Sequence, residues 1–373
     1  MDEKMIKEVF EEFMDSRERR LSTVKLYRYT FRLLIESIGD ENITMGEIKP
    51  SKISDFIDYL SSKHSSNSIY IIYCIVKSLF RFAENHYYIK MNPCKQVDTR
   101  SKITRRHHHQ ALSEKQMSAC EKDFWKDFNS GVINKGNNDA NSLFFAKLCF
   151  IMGYYMQGLA LIDLLQLKVS QTRLQVIDNE EVFVIDTQRR KTAKNVKIVI
   201  PESHSRRYLL FKTMHDKALS KSRQHIFGFM DDIADEQSLY KTLNSISCGI
   251  NRQLKRWWKH LNKTSLHGNH IDTSLTSYYS CRHTFATLYL QNPAANLSEL
   301  ASLMGRNTEY IDMYVKEIES TKTIAKANDK VFASKGRKPY SKEQKEILDN
   351  QHRIIEMQKL ILERLAIPAN MFV

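Results

Sequence analysis

Apolar residues recur every three or four positions through about the first ninety residues, the spacing that gives a helix one buried face. Val9, Phe10 and Phe13 mark a first helix, and Leu26, Tyr27, Tyr29, Phe31, Leu33, Leu34 and Ile35 a second. Ser22 and Thr23 have the chemistry of N-caps for that second helix, and "GDEN" supplies its stop. A third helix follows "KPS" at 50–52 and runs through Ile53, Phe56, Ile57 and Leu60. The fourth begins near Ser66 or Ser68 and continues through "IYIIYCIVKSLFRFAENHYY". Together they predict a compact bundle, residues 1–95, with Lys25, Arg28, Arg32, Lys77 and Arg81 on outward faces as candidate contacts for an anionic partner.

The helical period then stops. "NPCKQVDTRSKITRRHHHQALSEKQ" combines a proline with clustered basic residues and reads as a linker, 96–110. Lys102, Arg105 and Arg106 would suit a strap across a phosphate backbone, or a merely solvated segment. A second domain, 111–333, opens with helices that include the apolar "NSLFFAKLCFIMGYYMQGLALIDLLQL". "LQVIDNEEVFVIDTQ" and "VKIVIP" are rich in β-branched residues and flank the basic turn "RRKTAKN", which predicts two strands joined by a hairpin. Helices resume to about Ala333, and a tail, 334–373, holds one more amphipathic helix. Asn350, Gln351 and Gln358 interrupt its Ile347, Ile354 and Ile361 seam, so it is expected to pack on the second domain of the same or a neighbouring subunit. The expected fold class is mainly α with a small β-hairpin or sheet.

Charge narrows the function. The 373 residues carry 57 Lys+Arg against 43 Asp+Glu, a formal net charge of +14 that would attract a polyanion such as nucleic acid. Six scattered cysteines with no C-x-x-C pair read as free thiols, which argues against a disulfide scaffold. The adjacent histidines 107–109 cannot converge on one ion unaided, so neither a metal nor a cofactor is expected. No apolar run reaches membrane-spanning length and the first residues are charged throughout, so the expected location is cytoplasmic.

The chemistry is concentrated in two segments near the end of the second domain. In "YYSCRHTFATLYLQ", Arg282 shares a helix with Phe285, Ala286 and Tyr289 and, if buried, needs an anion. That anion is either a carboxylate such as Asp163 or a phosphate brought by a ligand. Downstream, "NLSELASLMGRNTEYIDMYVKEI" predicts a short helix capped by Ser298 and closed by Gly305, then a helix bearing Tyr310 and Tyr314.

With "RRKT" on the hairpin, this order resembles the tyrosine recombinase (phage integrase) family over nearly the whole chain. "SYYSCRHTFATL" is the most specific match. The resemblance implies a helical core-binding (SAM-like) domain followed by an α+β catalytic domain. It further implies an enzyme, a site-specific recombinase that integrates, excises or inverts a mobile element. A tyrosine attacks a DNA phosphodiester to give a 3′-phosphotyrosyl link, and a 5′-hydroxyl later reverses the step without ATP or metal. By the same resemblance Tyr314 is the nucleophile, with Tyr310 one helical turn away as the alternative. Arg282 and His283 hold the phosphate, Arg306 assists where the family most often has histidine, and Tyr279 stands three residues before Arg282. Lys191, or Lys194 in its place, is the hairpin lysine that protonates the leaving oxygen.

Two positions depart from the family, Arg306 in place of the usual histidine and the site of the first arginine. The family's first arginine is Ala160 here, and the arginine that its gut-anaerobe subgroup carries before the glycine is Gln157. A weakened or inactive DNA-binding protein of the same fold is therefore a second reading. A helix-turn-helix regulator is a third, and it leaves "RRKT" and "CRHTFAT" unexplained. Implied partners are double-stranded DNA, a monomer that assembles to a tetramer on it, and DNA-bending accessory proteins.

Overall fold

In a computed structural model, the protein is described at residues 4–99, 110–130, 138–233, 235–292 and 294–308. Lys102, Arg105, Arg106, His107, His108, His109, Tyr310, Tyr314 and the tail lie outside the described residues. The chain divides into two units, Met1–Thr308 and Glu309–Val373, and all described residues fall in the first.

Four helices form the first core: α1 (Ile6–Asp15), α2 (Leu21–Ile38), α3 (Pro50–Ser61) and α4 (Ser66–Asn85). Their apolar stripes meet at Phe10, Leu34, Phe56 and Phe80, with the Phe10 and Phe31 rings stacked at 4.0 Å. Pro50 occupies the first turn of α3, where its missing N–H leaves no bond unmade. Gly39 ends α2, as "GDEN" suggested. The start of α2 differs from expectation. Its N-cap is Arg20, whose carbonyl accepts from the amides of Thr23 and Val24 at 2.9 and 3.0 Å. Ser22 and Thr23 therefore lie inside the first turn, where their hydroxyls cap nothing.

A second core begins at Leu112. Helix α5 (Glu114–Asn129) opens with a capping box between Ser113 and Gln116, and α6 (Asn138–Tyr155) packs against the long α9 (Glu236–Thr264). Phe150 of α6 meets the edges of Trp257 and Trp258 at 6.2 and 5.4 Å. Lys147, also on α6, buries its ammonium between Asp123 and Asp127, 2.5 and 2.7 Å away. After the short α7 (Leu161–Leu165) comes a three-stranded antiparallel sheet in chain order, β1 (Thr172–Ile177), β2 (Glu180–Gln188) and β3 (Asn195–Pro201).

Three strands replace the two expected. "LQVIDNEEVFVIDTQ" folds back on itself at Asp178 and Asn179, both at positive φ (52° and 63°), the backbone of a two-residue type I′ hairpin. Helix α8 (Ser205–Ser220) covers one sheet face, where Phe183 meets the Tyr208 and Phe211 rings at 5.2 and 5.1 Å. Helices α10 (Ser280–Gln291) and α11 (Leu297–Leu303) complete the described chain. Asn296, rather than Ser298, caps α11. Its side chain accepts from the amides of Ser298 and Glu299, while Ser298 is itself in the first turn. The cysteines are unpaired thiols, and among the described residues no helix is long and apolar enough to cross a membrane.

Candidate active site

Two helix ends and one hairpin turn build the site. Beyond the end of α6, Gln157 and Gly158 both take left-handed backbone angles, φ 60° and 70°, and turn the chain into α7, whose N-cap is Ala160. A Cβ on Gly158 would lie 2.7 Å from the Arg282 Cα, so α10 crosses this turn at a distance only glycine permits. Three contacts fix α10 there. The Tyr278 hydroxyl donates to the Leu159 carbonyl at 2.9 Å, the Tyr278 amide to Asn251 Oδ1 at 2.8 Å, and the Leu112 amide to Thr284 Oγ1 at 2.9 Å.

Arg282 is 1% exposed. Its Nη1 donates to the Gly158 carbonyl at 2.7 Å and its Nη2 to the Met304 carbonyl at 2.8 Å. Those carbonyls follow α6 and α11, where helices leave oxygens without intrahelical donors and carry partial negative charge. The buried cation thus staples two helix ends through their carbonyls.

Asp163 serves the hairpin turn instead. Its Oδ1 accepts from the Arg190 amide at 3.0 Å, and its Oδ2 lies 3.8 Å from Arg189 Nε. Burial lifts the Asp163 pKa above the ordinary carboxylate value, against the opposing pull of the Arg190 amide and the Arg189, Arg282 and Arg190 guanidiniums. Arg190 reaches outward to Gln166 at 3.3 Å and Glu236 at 3.2 Å.

After α11 the chain turns through Met304 and Gly305 (φ 58°) to Arg306. Arg306 Nη2 donates to the Tyr279 hydroxyl, and the Tyr279 ring meets the His283 ring edge-on, centroids 5.2 Å apart. The hairpin turn touches the same segment twice. Lys194 Nζ donates to Asn307 Oδ1, and Arg189 Nη1 donates to the Gly305 carbonyl at 3.4 Å. An open cleft of about 900 Å³ runs between the sheet and α11, with Gln157, Thr187, Gln188, Asn195, Lys197 and Leu303 on its walls.

Of the residues expected from sequence, Arg282, His283, Tyr279 and Arg306 come together. Lys191 is exposed on the hairpin turn, whereas Lys194 reaches the loop after Gly305. Gln157 and Ala160 stand at the turn beside Arg282, each without charge. In the first bundle the five outward cations are all exposed. Arg28 forks onto Glu11 at 3.0 and 3.1 Å, Arg32 lies 3.5 Å from Glu36, and the Lys25 ammonium sits 4.1 Å from the centre of the Tyr240 ring. Arg189 is a further buried cation of the site. Its signal in the sequence is the second half of β2, where Ile185 and Thr187 are buried on alternate positions and Arg189 continues that parity into the turn, although Val182, Phe183 and Val184 before them are all buried.

Comparison with known proteins bears on this architecture. Residues 5–103 match the phage integrase SAM-like domain family. The chain as a whole is similar to a lambda integrase dimer bound to a COC′ core site, with a TM-score of 0.56 at 12% identity over 83% of this chain and 77% of that one. The chain shares the fold of this DNA-bound integrase. The same fold recurs in the Tn1549 transposon integrase (residues 82–397) in complex with circular intermediate DNA, with a TM-score of 0.54 at 17% identity over 83% of this chain and 94% of that one. It recurs again in a lambda integrase tetramer bound to a Holliday junction, with a TM-score of 0.54 at 12% identity over 81% and 76% of the two chains. At these identities the likeness is one of fold. No curated protein sequence matches the chain.

Proposed function

We propose that this recombinase-fold chain is a site-specific DNA recombinase that cuts and rejoins strands through a 3′-phosphotyrosyl intermediate. The observation that carries the reading is the convergence of Arg282 and the basic hairpin turn on the loop Met304–Asn307, which ends seven residues before Tyr314 and whose Arg306 donates to Tyr279 beside His283. Tyr314 is the nucleophile of the proposal, and Tyr310 is its alternative. The phenol oxygen bonds to phosphorus as the P–O5′ bond breaks. The phenolic proton departs, and the 5′ oxygen takes one from the hairpin lysine, Lys191 or Lys194. Negative charge grows on the non-bridging oxygens, and guanidinium is suited to them because its planar fork donates two bonds and stays charged. The phosphotyrosyl bond conserves the energy needed for rejoining.

Double-stranded DNA is the partner. The solved relatives are a dimer on a core site and a tetramer on a Holliday junction, and assembly to a tetramer on DNA is part of the proposal. The test is a suicide duplex carrying the site recovered by crosslinking, nicked near the cleaved bond. The wild-type chain should form a covalent adduct that Tyr314→Phe abolishes while binding persists. An adduct that survives Tyr314→Phe and vanishes with Tyr310→Phe moves the nucleophile by one turn. No adduct from the wild-type chain refutes cleavage and leaves a DNA-binding protein of recombinase fold.

A further inference from the structure

We propose that Arg189 is a second phosphate-binding guanidinium of this site, an inference that rests on the cleavage reading above. Its position is built rather than incidental. It is 5% exposed, and it sits at the end of β2 on the inward parity of the strand. A Cβ on Gly305 would fall 2.9 Å from Arg189 Cδ and 2.5 Å from Val196 Cγ2, so the arginine stem fills the space this glycine leaves.

Its head group shares a turn with Arg282. Arg282 donates to the Met304 carbonyl and Arg189 to the Gly305 carbonyl, so the two guanidiniums approach consecutive peptide units. The next residue is Arg306.

Two features separate Arg189 from an ordinary structural ion pair. Its approach to Asp163, 3.8 Å from Nε to Oδ2, is too long for a hydrogen bond, and the bond to Gly305 is at the long limit at 3.4 Å. Arg189 Nε has no hydrogen-bond partner although it is sealed from solvent. A buried guanidinium left this weakly paired costs stability, and an incoming anion would recover part of that cost. The charge count agrees. Asp163 faces Arg189, Arg282 and Arg190 at once, and Arg306 and Lys194 add two more cations around the same loop.

A phosphodiester has two non-bridging oxygens, and charge develops on both as phosphorus passes between oxygen ligands. One fork bound to each matches Arg282 and Arg189. Gln157 and Ala160, at the turn beside Arg282, carry no charge, and the hairpin supplies the second guanidinium. In the reaction step Arg189 neither gains nor loses a proton; it lowers the energy of the transition state by hydrogen bonding and charge.

The full-length wild type, Arg189→Gln and Arg189→Lys are compared on two suicide duplexes carrying the recovered site. One has the natural phosphate at the cleaved position, and the other has a neutral methylphosphonate there. On phosphate, Arg189→Gln should lower the rate of adduct formation roughly 10²–10³-fold, the usual loss for one transition-state donor. Arg189→Lys, which keeps the charge without the fork, should fall between it and wild type. On methylphosphonate the gap between Arg189→Gln and wild type should shrink to less than about tenfold, because one oxygen charge is already removed. A merely structural role predicts equal losses on both duplexes, and that result overturns the assignment. So does normal cleavage of phosphate by Arg189→Gln. Should Arg189→Gln fail to fold, Arg189→Lys carries the same comparison. If the wild type forms no adduct, the cleavage reading falls and Arg189 with it; an adduct from the wild type with either overturning result removes Arg189 alone.

Discussion

Replacing Gly158 with alanine tests how tightly the turn after α6 is held against α10. Two costs are expected. The backbone at φ 70° is left-handed, which costs a residue with a Cβ about 1–2 kcal/mol. The new methyl would also lie 2.7 Å from Arg282 Cα, 3.0 Å from its Cγ and 3.1 Å from its Cβ. The first of these is backbone and cannot swing aside, so the turn must move, at a further cost of about 1–3 kcal/mol as in overpacked cores. Gly268 supplies the reference. It has φ 74° and nothing within 4 Å of a built Cβ, so Gly268→Ala should show only the conformational part. Trp125, Trp257 and Trp258 are all buried in the same half, and their fluorescence during urea unfolding reports on it. Gly158→Ala should lose about 2–5 kcal/mol and Gly268→Ala about 1–2. Because the Gly158 carbonyl accepts from Arg282, adduct formation should fall only in the first variant. Equal destabilisation by the two substitutions, with cleavage intact in both, would refute the close approach.

Arg207, in the first turn of α8, should be better replaced. Burial lowers its pKa to about 10, and its Nε and Nη2 have no hydrogen-bond partner. A cation whose folded pKa is depressed penalises the folded state at every pH below that value, so Arg207→Met should stabilise by roughly 1–3 kcal/mol in the same urea assay. For Asp163, whose folded pKa is raised, protonation begins above the ordinary aspartate range as pH falls. The proton favours folding of this group taken alone, but it removes the carboxylate facing Arg189. The acid limb of the cleavage profile should therefore lie above the ordinary aspartate pKa, and it should be absent in Asp163→Asn.

The first bundle was legible because each helix shows one apolar stripe, and Gly39 and Pro50 mark boundaries by backbone chemistry alone. Helix starts were less so. Ser22 and Ser298 are good caps in isolation, but Arg20 and Asn296 are the residues whose backbone is still extended as each helical ladder begins. The extra strand escaped notice because Asp178 and Asn179 form a turn without glycine or proline. In the site, "CRHTFAT" announced Arg282 by setting a cation among apolar neighbours. Its hydrogen-bond acceptors are backbone carbonyls brought from Gly158 and Met304, which no side-chain pattern reveals. Arg189 was hidden among the basic residues of "RRKTAKN", where only strand parity separates an inward arginine from solvated neighbours.

The way Arg282 is fastened affects how the site looks from a distance. A carboxylate partner would supply an equal and opposite monopole, and an approaching strand would sense little until contact. The Gly158 and Met304 carbonyls are dipoles, whose potential decays faster with distance than that of a unit charge. They hold the guanidinium in place without cancelling its charge, and the single carboxylate of Asp163 offsets only part of the positive charge of Arg189, Arg190 and Arg282 around it. If the site takes a phosphodiester, as proposed, attraction of the phosphate would precede any hydrogen bond, and its capture and orientation would begin with the same buried residue.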